Sequence, residues 1–142
     1  LTGLLEEYDV PASLITLEIL EGLALENAET LNQKIIRLQA AGFRISMDDF
    51  GSGYSSLNTL KDILFDEVKI DKKFLSDKLT ENGKIVLQEI FHLLKRTNKF
   101  IVCEGVETKE MVDFLVVEGC DELQGYYYYK PMEMAKFEQL IG

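Results

Sequence analysis

An α/β fold of the parallel kind, an incomplete TIM-type (β/α) barrel, is predicted by three features of this 142-residue chain. After Pro11, short runs of period-2 alternation are separated by longer runs of helical spacing, the pattern of repeated βα units. Within each strand candidate, parity puts apolar side chains on one face and a polar one on the other, near the strand's C-terminal end. Those five polar positions, Glu18, Asp48, Lys69, Glu104 and Gln124, are 30, 21, 35 and 20 residues apart. The spacing loosely matches the about 31 residues per unit of a complete barrel. A doubly wound open sheet also carries ligands at strand C-termini, but it seldom has so many strands each giving one inward polar group.

The elements follow in order. Leu1, Leu4, Leu5 and Tyr8 recur at helical spacing with no cap ahead of them, and Leu1 is not a methionine. The chain is therefore expected to open on the tail of a longer helix and to lack the barrel's first strands. Strands are expected at residues 15–19, 43–48, 67–70, 100–104 and 123–128. The run from Glu26 places Ala28, Leu31, Ile35 and Leu38 on one helical face and stops at Gly42, a C′ glycine. Ser55 or Ser56 caps a shorter helix carrying Leu57, Leu60 and Leu64. Val86, Ile90, Leu93 and Leu94 mark a third helix, and Thr108 caps a fourth with Met111, Val112 and Leu115 before Gly119. Met134, Phe137, Leu140 and Ile141 form a last one.

Composition narrows the function. Fifteen basic against 25 acidic residues leave a formal charge of −10, a field that repels nucleic-acid phosphates and argues against a bare DNA- or RNA-binding module. No apolar run approaches the ~20 residues that span a bilayer, and no secretory leader pattern is present, so a soluble, cytoplasmic protein is expected. Cys103 and Cys120 lie in apolar stretches and read as small buried hydrophobes in a reducing compartment.

Glu18, Asp48, Asp49 and Glu104 on one face, with a lysine and a glutamine, would repel one another unless a cation lay among them. Hard divalent ions such as Mg²⁺ or Mn²⁺ take such oxygen ligands. Asp48 points inward and Asp49 is free to be re-aimed by the turn that the glycines of Asp48-Asp49-Phe50-Gly51-Ser52-Gly53 permit, so the pair is suited to two ions. Two such ions clamp a phosphodiester, and Lys69 adds a point charge for a phosphate oxygen or an attacking water.

The segments Leu17-Glu18-Ile19-Leu20-Glu21, Asp48 to Leu57, Val68-Lys69-Ile70-Asp71, Glu104-Gly105-Val106-Glu107-Thr108 and Gly119 to Tyr126, ending in Lys130-Pro131, resemble the C-terminal part of an EAL domain, the bacterial cyclic di-GMP-specific phosphodiesterase domain. The order and spacing agree over the whole chain, residues 1–142, taken as a single domain portion. The resemblance implies a modified TIM barrel that uses two Mg²⁺ or Mn²⁺ ions to open one phosphodiester of cyclic di-GMP, giving linear pGpG. It implies Glu18, Asp48, Asp49 and Glu104 as metal ligands, with Glu104 also a candidate general base. Lys69 is implied to hold water or phosphate, Glu107 and Gln124 to complete the catalytic pocket, and Asp71 with Gln124 to meet substrate. Phe50, Gly51, Ser52 and Gly53 correspond to the family's loop, which Glu21 steadies and which takes part in homodimers. The family's Glu-x-Leu motif and a metal-binding Asn would lie upstream of Leu1, and Leu20 and Gly22 stand where the family has polar residues.

The remaining features read more plainly. His92 falls among polar residues on a helix surface, Lys72 and Lys73 on a solvated edge, and Tyr126 to Tyr129 at a strand end where one ring could stack on guanine. The alternative to an enzyme is a degenerate receptor that binds cyclic di-GMP without cleaving it; every catalytic position within the chain is retained, which favours the enzyme. A different metal- and lysine-using barrel enzyme is the third reading. Five βα units cannot close an eight-stranded barrel, so open edges, an inactive isolated fragment and an upstream sensory or regulatory domain are expected.

Overall fold

The computed structural model describes residues 2–20, 27–51, 56–75 and 80–142. Its centre is a five-stranded parallel sheet of Thr16–Leu20 (β1), Arg44–Phe50 (β2), Glu67–Ile70 (β3), Phe100–Glu104 (β4) and Glu122–Gln124 (β5). The spatial order is β1-β2-β3-β4-β5 and every pairing is parallel. Strict sequential order is what an arc of a barrel requires, whereas a doubly wound sheet reverses order at a switch point. Each end strand pairs on one side only among the described residues, as expected of an unclosed arc.

Helices cover one face. Thr2–Glu7 (α1) precedes the sheet; Ala28–Ala40 (α2), Ser56–Asp62 (α3), Glu81–Arg96 (α4) and Lys109–Val117 (α5) alternate with the strands, and Met134–Ile141 (α6) ends the chain. Ile35, Leu87, Phe91, Leu94, Met111 and Leu115 from the helices bury against Ile45, Met47, Val68, Ile70, Ile101 and Cys103 from the strands. These strand residues all have the parity expected from the alternation.

Local signals fix the helix ends. Asn27 accepts from Thr30 N at 3.0 Å and Thr80 from Gly83 N at 3.0 Å, and Thr108 accepts from Met111 N at 3.3 Å as its sequence position predicts. Gly42 ends α2 with φ of 94°, where a side chain would be strained.

Four local expectations differ from what forms. The buried stripe of α4 is Leu87, Phe91 and Leu94, spaced i, i+4, i+7, while Val86 is 49% exposed and Leu93 37% exposed. Leu64 lies beyond α3, and Ser56 opens that helix rather than preceding it; Ser55 is outside the described residues. β2 runs on to Phe50, which is buried in the core rather than placed in a loop. β5 stops at Gln124 instead of reaching Tyr128. There the chain folds back on the segment after β4: Val106 N donates to Gln124 O at 3.1 Å and Tyr127 N to Val106 O at 3.0 Å.

One device occurs twice. Asp66, just before β3, accepts from Ile45 N of β2 at 2.8 Å, and Asp121, just before β5, accepts from Ile101 N of β4 at 2.8 Å. In both places the same aspartate's backbone N–H donates to that neighbour's carbonyl, at 2.8 Å to Ile45 O and 3.1 Å to Ile101 O. A buried strand N–H without a partner costs about 1–3 kcal/mol, so the carboxylates lock register between neighbours. Gln39 and Lys95 complete the two clamps, donating to Asp66 at 2.9 Å and Asp121 at 2.7 Å.

Candidate functional site

On the face opposite the α2, α4 and α5 contacts, the C-terminal halves of the strands bring together the residues that parity selects. Glu18 comes from β1, Asp48 from β2, Lys69 from β3 and Glu104 from β4, with Gln124 in register beside Glu104. Lys69 Nζ donates to Glu18 Oε1 at 2.6 Å and lies 2.7 Å from Glu104 Oε1 and 3.3 Å from Asp48 Oδ1. Its side chain is 12% exposed. Burial disfavours the ammonium, but hydrogen bonds to Glu104 and Glu18 and the charges of Glu104 and Asp48 outweigh it, raising the lysine above its ordinary value. Three carboxylates around one cation leave a net anionic nest.

The β2–β3 register explains Asp49. Met47 pairs with Val68 but Phe50 with Ile70, so β2 carries an extra residue between them, and Asp49 adopts φ of 57° within this irregularity. Aspartate tolerates that left-handed region better than most residues. The bulge lets Asp48 face Lys69 and Phe50 face the core, although they are two residues apart. Asp49 instead hydrogen-bonds Asp71, which together with burial and the charges of Asp48 and Asp71 raises its pKa, against the opposing charge of Lys73. The sequence anticipated that Asp49 would be re-aimed; the strand itself does this, rather than the turn after it.

The other expected site residues fall around this nest. Asp71 is buried and accepts from Lys73 N at 2.7 Å. Glu107 is exposed on the wall of a cleft of about 350 Å³ with Lys72, Lys73, Gly105, Thr108 and Met111. Gly105, at φ of 67°, leads into that wall, and a Cβ there would lie 2.4 Å from Lys72 Cβ. Gly51 has φ of 89° and packs so closely on the Phe74 ring that a Cβ would lie 1.7 Å from it. Glu21, Ser52 and Gly53 lie outside the described residues. His92 is exposed on α4, which packs on the sheet face opposite the nest, and Tyr126 to Tyr129 form an exposed turn in which Tyr127 and Tyr128 meet edge to face at 5.1 Å.

The donor set suits a hard divalent cation. Its groups are carboxylates from three strands, and Asp48 Oδ1 is buried yet accepts no hydrogen bond among the described residues. With the ammonium among them, however, no three acidic, histidine or cysteine side chains among the described residues are close enough to hold an ion. Ser46 shares this face by parity; its hydroxyl, also buried and without a hydrogen bond among the described residues, lies one step down β2 from Asp48. A small polar residue at an inward strand position is the signal that marks it.

Two solved structures and a curated relative are similar to this chain in fold or sequence. The EAL domain of Mycobacterium smegmatis DcpA superposes with a TM-score of 0.90 at 29% identity, over 97% of this chain and 62% of that one. The PaMucR phosphodiesterase in complex with c-di-GMP superposes at 0.84 with 34% identity, over 96% of this chain and 56% of that one. The cyclic di-GMP phosphodiesterase NbdA of Pseudomonas aeruginosa is 31% identical over 138 residues, 96% of this chain and 18% of NbdA. The chain spans 15–20% of the length of the first curated relatives it matches. The five-stranded sheet is thus part of an α/β barrel. The EAL domain model matches residues 1–131, and on that match over nearly its whole length this chain belongs to the EAL domain family.

Proposed function

We propose that this chain is the C-terminal portion of a cyclic di-GMP phosphodiesterase domain, and that the whole domain opens one phosphodiester to give linear pGpG. The observation that supports this reading is the nest itself: Lys69 Nζ within 3.3 Å of carboxylates from three other strands. Glu18, Asp48 and Glu104, with Asp49 on a second ion, would hold Mg²⁺ or Mn²⁺. Bound there, the ions would supply Lewis-acid stabilisation of the phosphodiester and an acidified water.

The chain's own residues do the rest. Lys69 presents its ammonium to an anionic oxygen, where a charge in a poorly hydrated site counts for more than in water. Glu104 is positioned to take a proton from the attacking water. Glu107, on the cleft wall, and Gln124, beside Glu104, bound the space in which substrate lies, and Asp71 orders its near edge through Lys73. Phe50, buried in the core, and Gly51, packed on the Phe74 ring, fix the chain where it leaves β2. No helix among the described residues is long and apolar enough to cross a membrane. A cytoplasmic homodimer with an upstream regulatory domain completes the proposal, and the isolated 142 residues, with both sheet edges open, should be inactive.

The test is chromatography of cyclic di-GMP incubated with the whole domain and Mn²⁺. Formation of pGpG that is lost in Glu104→Gln is expected, while binding without any cleavage at saturating Mn²⁺ would refute the enzymatic reading.

A further inference from the structure

We infer that the single turn Lys72–Leu75 is a spacer keyed into the chain at Gly51 and Gly105, and that Phe74 is thereby a positioning residue for the nest. The inference rests on the nest as the reacting centre and names what sets its width.

The turn follows β3, whose neighbours in the sheet are β2 and β4. It touches the exit of each. Gly51 is the first residue after β2, and it lies so close to the Phe74 ring that a Cβ would come 1.7 Å from Cε2, 2.4 Å from Cζ and 2.9 Å from Cδ2. Gly105 is the first residue after β4, and a Cβ there would come 2.4 Å from Lys72 Cβ. Only a residue without a side chain lets the turn come so near on both sides. Two such approaches from one turn of four residues make a bridge of fixed length across the end of β3.

The bridge is held from below. Leu75 is fully buried in the core and Phe74 packs against that core. Asp71 accepts from Lys73 N at 2.7 Å through its carboxylate and from Phe74 N at 3.0 Å through its carbonyl. A push at either glycine is therefore passed to a strand end rather than absorbed by the turn.

What the bridge spaces is the nest. Asp48 stands three residues before Gly51 and Glu104 one before Gly105, on either side of Lys69. Lys69 Nζ is 3.3 Å from Asp48 and 2.7 Å from Glu104, so a small lateral shift of either strand end breaks a contact. Phe74 acts on Asp48 at one remove, through the backbone at Gly51.

The test compares wild type with Gly51→Ala, Phe74→Ala, Gly105→Ala and the double variant Gly51→Ala/Phe74→Ala, each in the whole domain. Two readouts are taken: acetylation of Lys69 by a water-soluble ester, followed by peptide mass spectrometry, and kcat and KM for cyclic di-GMP. In wild type the Lys69 side chain is 12% exposed and carboxylates hold its ammonium charged, so it labels slowly. Each single variant should label several-fold faster and lose about 100-fold in kcat, the cost of a reacting group misplaced by about 1 Å. KM should stay within about threefold. The double variant should lose no more than the worse single one, because the new methyl enters space that the ring has left. Phe91→Leu thins the core under the opposite face of the sheet. It should lower the urea midpoint yet leave Lys69 labelling and kcat within about twofold. Phe74→Leu keeps most of the apolar bulk without the ring, and should move both readouts the same way where Phe74→Ala does not fold. Single variants that label like wild type, or no faster than Phe91→Leu, overturn the spacer, as does a double variant whose losses multiply to about 10,000-fold. A wild type that turns over no cyclic di-GMP while the labelling pattern holds refutes the enzymatic reading and leaves the spacer standing.

Discussion

Replacing Gly125 with alanine tests how the chain closes the site beside Gln124. A Cβ at this position would lie 2.1 Å from Val106 O, 2.3 Å from Val106 N and 2.7 Å from Val106 C. All three atoms are backbone, so no rotamer change relieves the contact; the two segments have to separate. Separation breaks the bonds from Val106 N to Gln124 O at 3.1 Å and from Tyr127 N to Val106 O at 3.0 Å. At about 1 kcal/mol for each hydrogen bond and about 1–3 kcal/mol for the forced repacking, the loss should be about 3–5 kcal/mol. That is a large part of the about 5–15 kcal/mol that holds a domain together. The assay is urea unfolding followed by far-ultraviolet circular dichroism, with Gly119→Ala as a comparison. Gly119 has φ of 83° but room for a Cβ, whose nearest neighbour is Lys95 Cε at 3.8 Å. Its substitution should cost only the about 1–2 kcal/mol of a left-handed alanine. If Gly125→Ala costs no more than Gly119→Ala, the steric reasoning is refuted.

The remaining predictions concern three carboxylates and the thiols. Asp66→Ala and Asp121→Ala should each lower stability by about 2 kcal/mol, read from the urea midpoint, because Ile45 N and Ile101 N then lose their carboxylate acceptors. Asp49 has a folded-state pKa raised above its ordinary value of 3.8, chiefly by the hydrogen bond with Asp71. The stability it contributes is therefore full below pH 3.8 and lost as pH rises through the folded value. Asp49→Asn, neutral at every pH, should melt above wild type at pH 7 and level with it near pH 3. The Cys120 thiol donates to Glu122 O at 3.1 Å and Ile101 O at 3.5 Å; the neighbouring thiol and burial push Cys103 up, while Cys103 beside it pulls Cys120 down. Iodoacetamide should therefore alkylate Cys120 in the native protein and reach the fully buried Cys103 only in urea, as peptide mass spectrometry would show.

Much of the site was legible from alternation alone. A strand's side chains obey period 2 whatever surrounds it, so Glu18, Asp48, Lys69, Glu104 and Gln124 could be put on one face before any strand was paired. The capping role of Thr108 and the stop at Gly42 were equally local, since both are set by the conformation of one or two residues. Pairwise distances were not. That Lys69 lies among three carboxylates, rather than merely near them, depends on parallel register between strands up to 51 residues apart in sequence.

Where the reading and the structure part, non-local contact decided. β5 ends at Gln124 because Val106 claims the backbone that β-prone tyrosines would have extended, and α4 buries Leu87 and Phe91 because of where β4 lies. The bulge that separates Asp48 from Asp49 comes from the pairing of Phe50 with Ile70, a partner chosen across the sheet. Which way each residue faces could be read from the amino-acid order, because it follows from the geometry of a single strand or helix. How closely the residues approach is set by the assembled fold, because distance between elements comes from packing and register, which no single segment encodes.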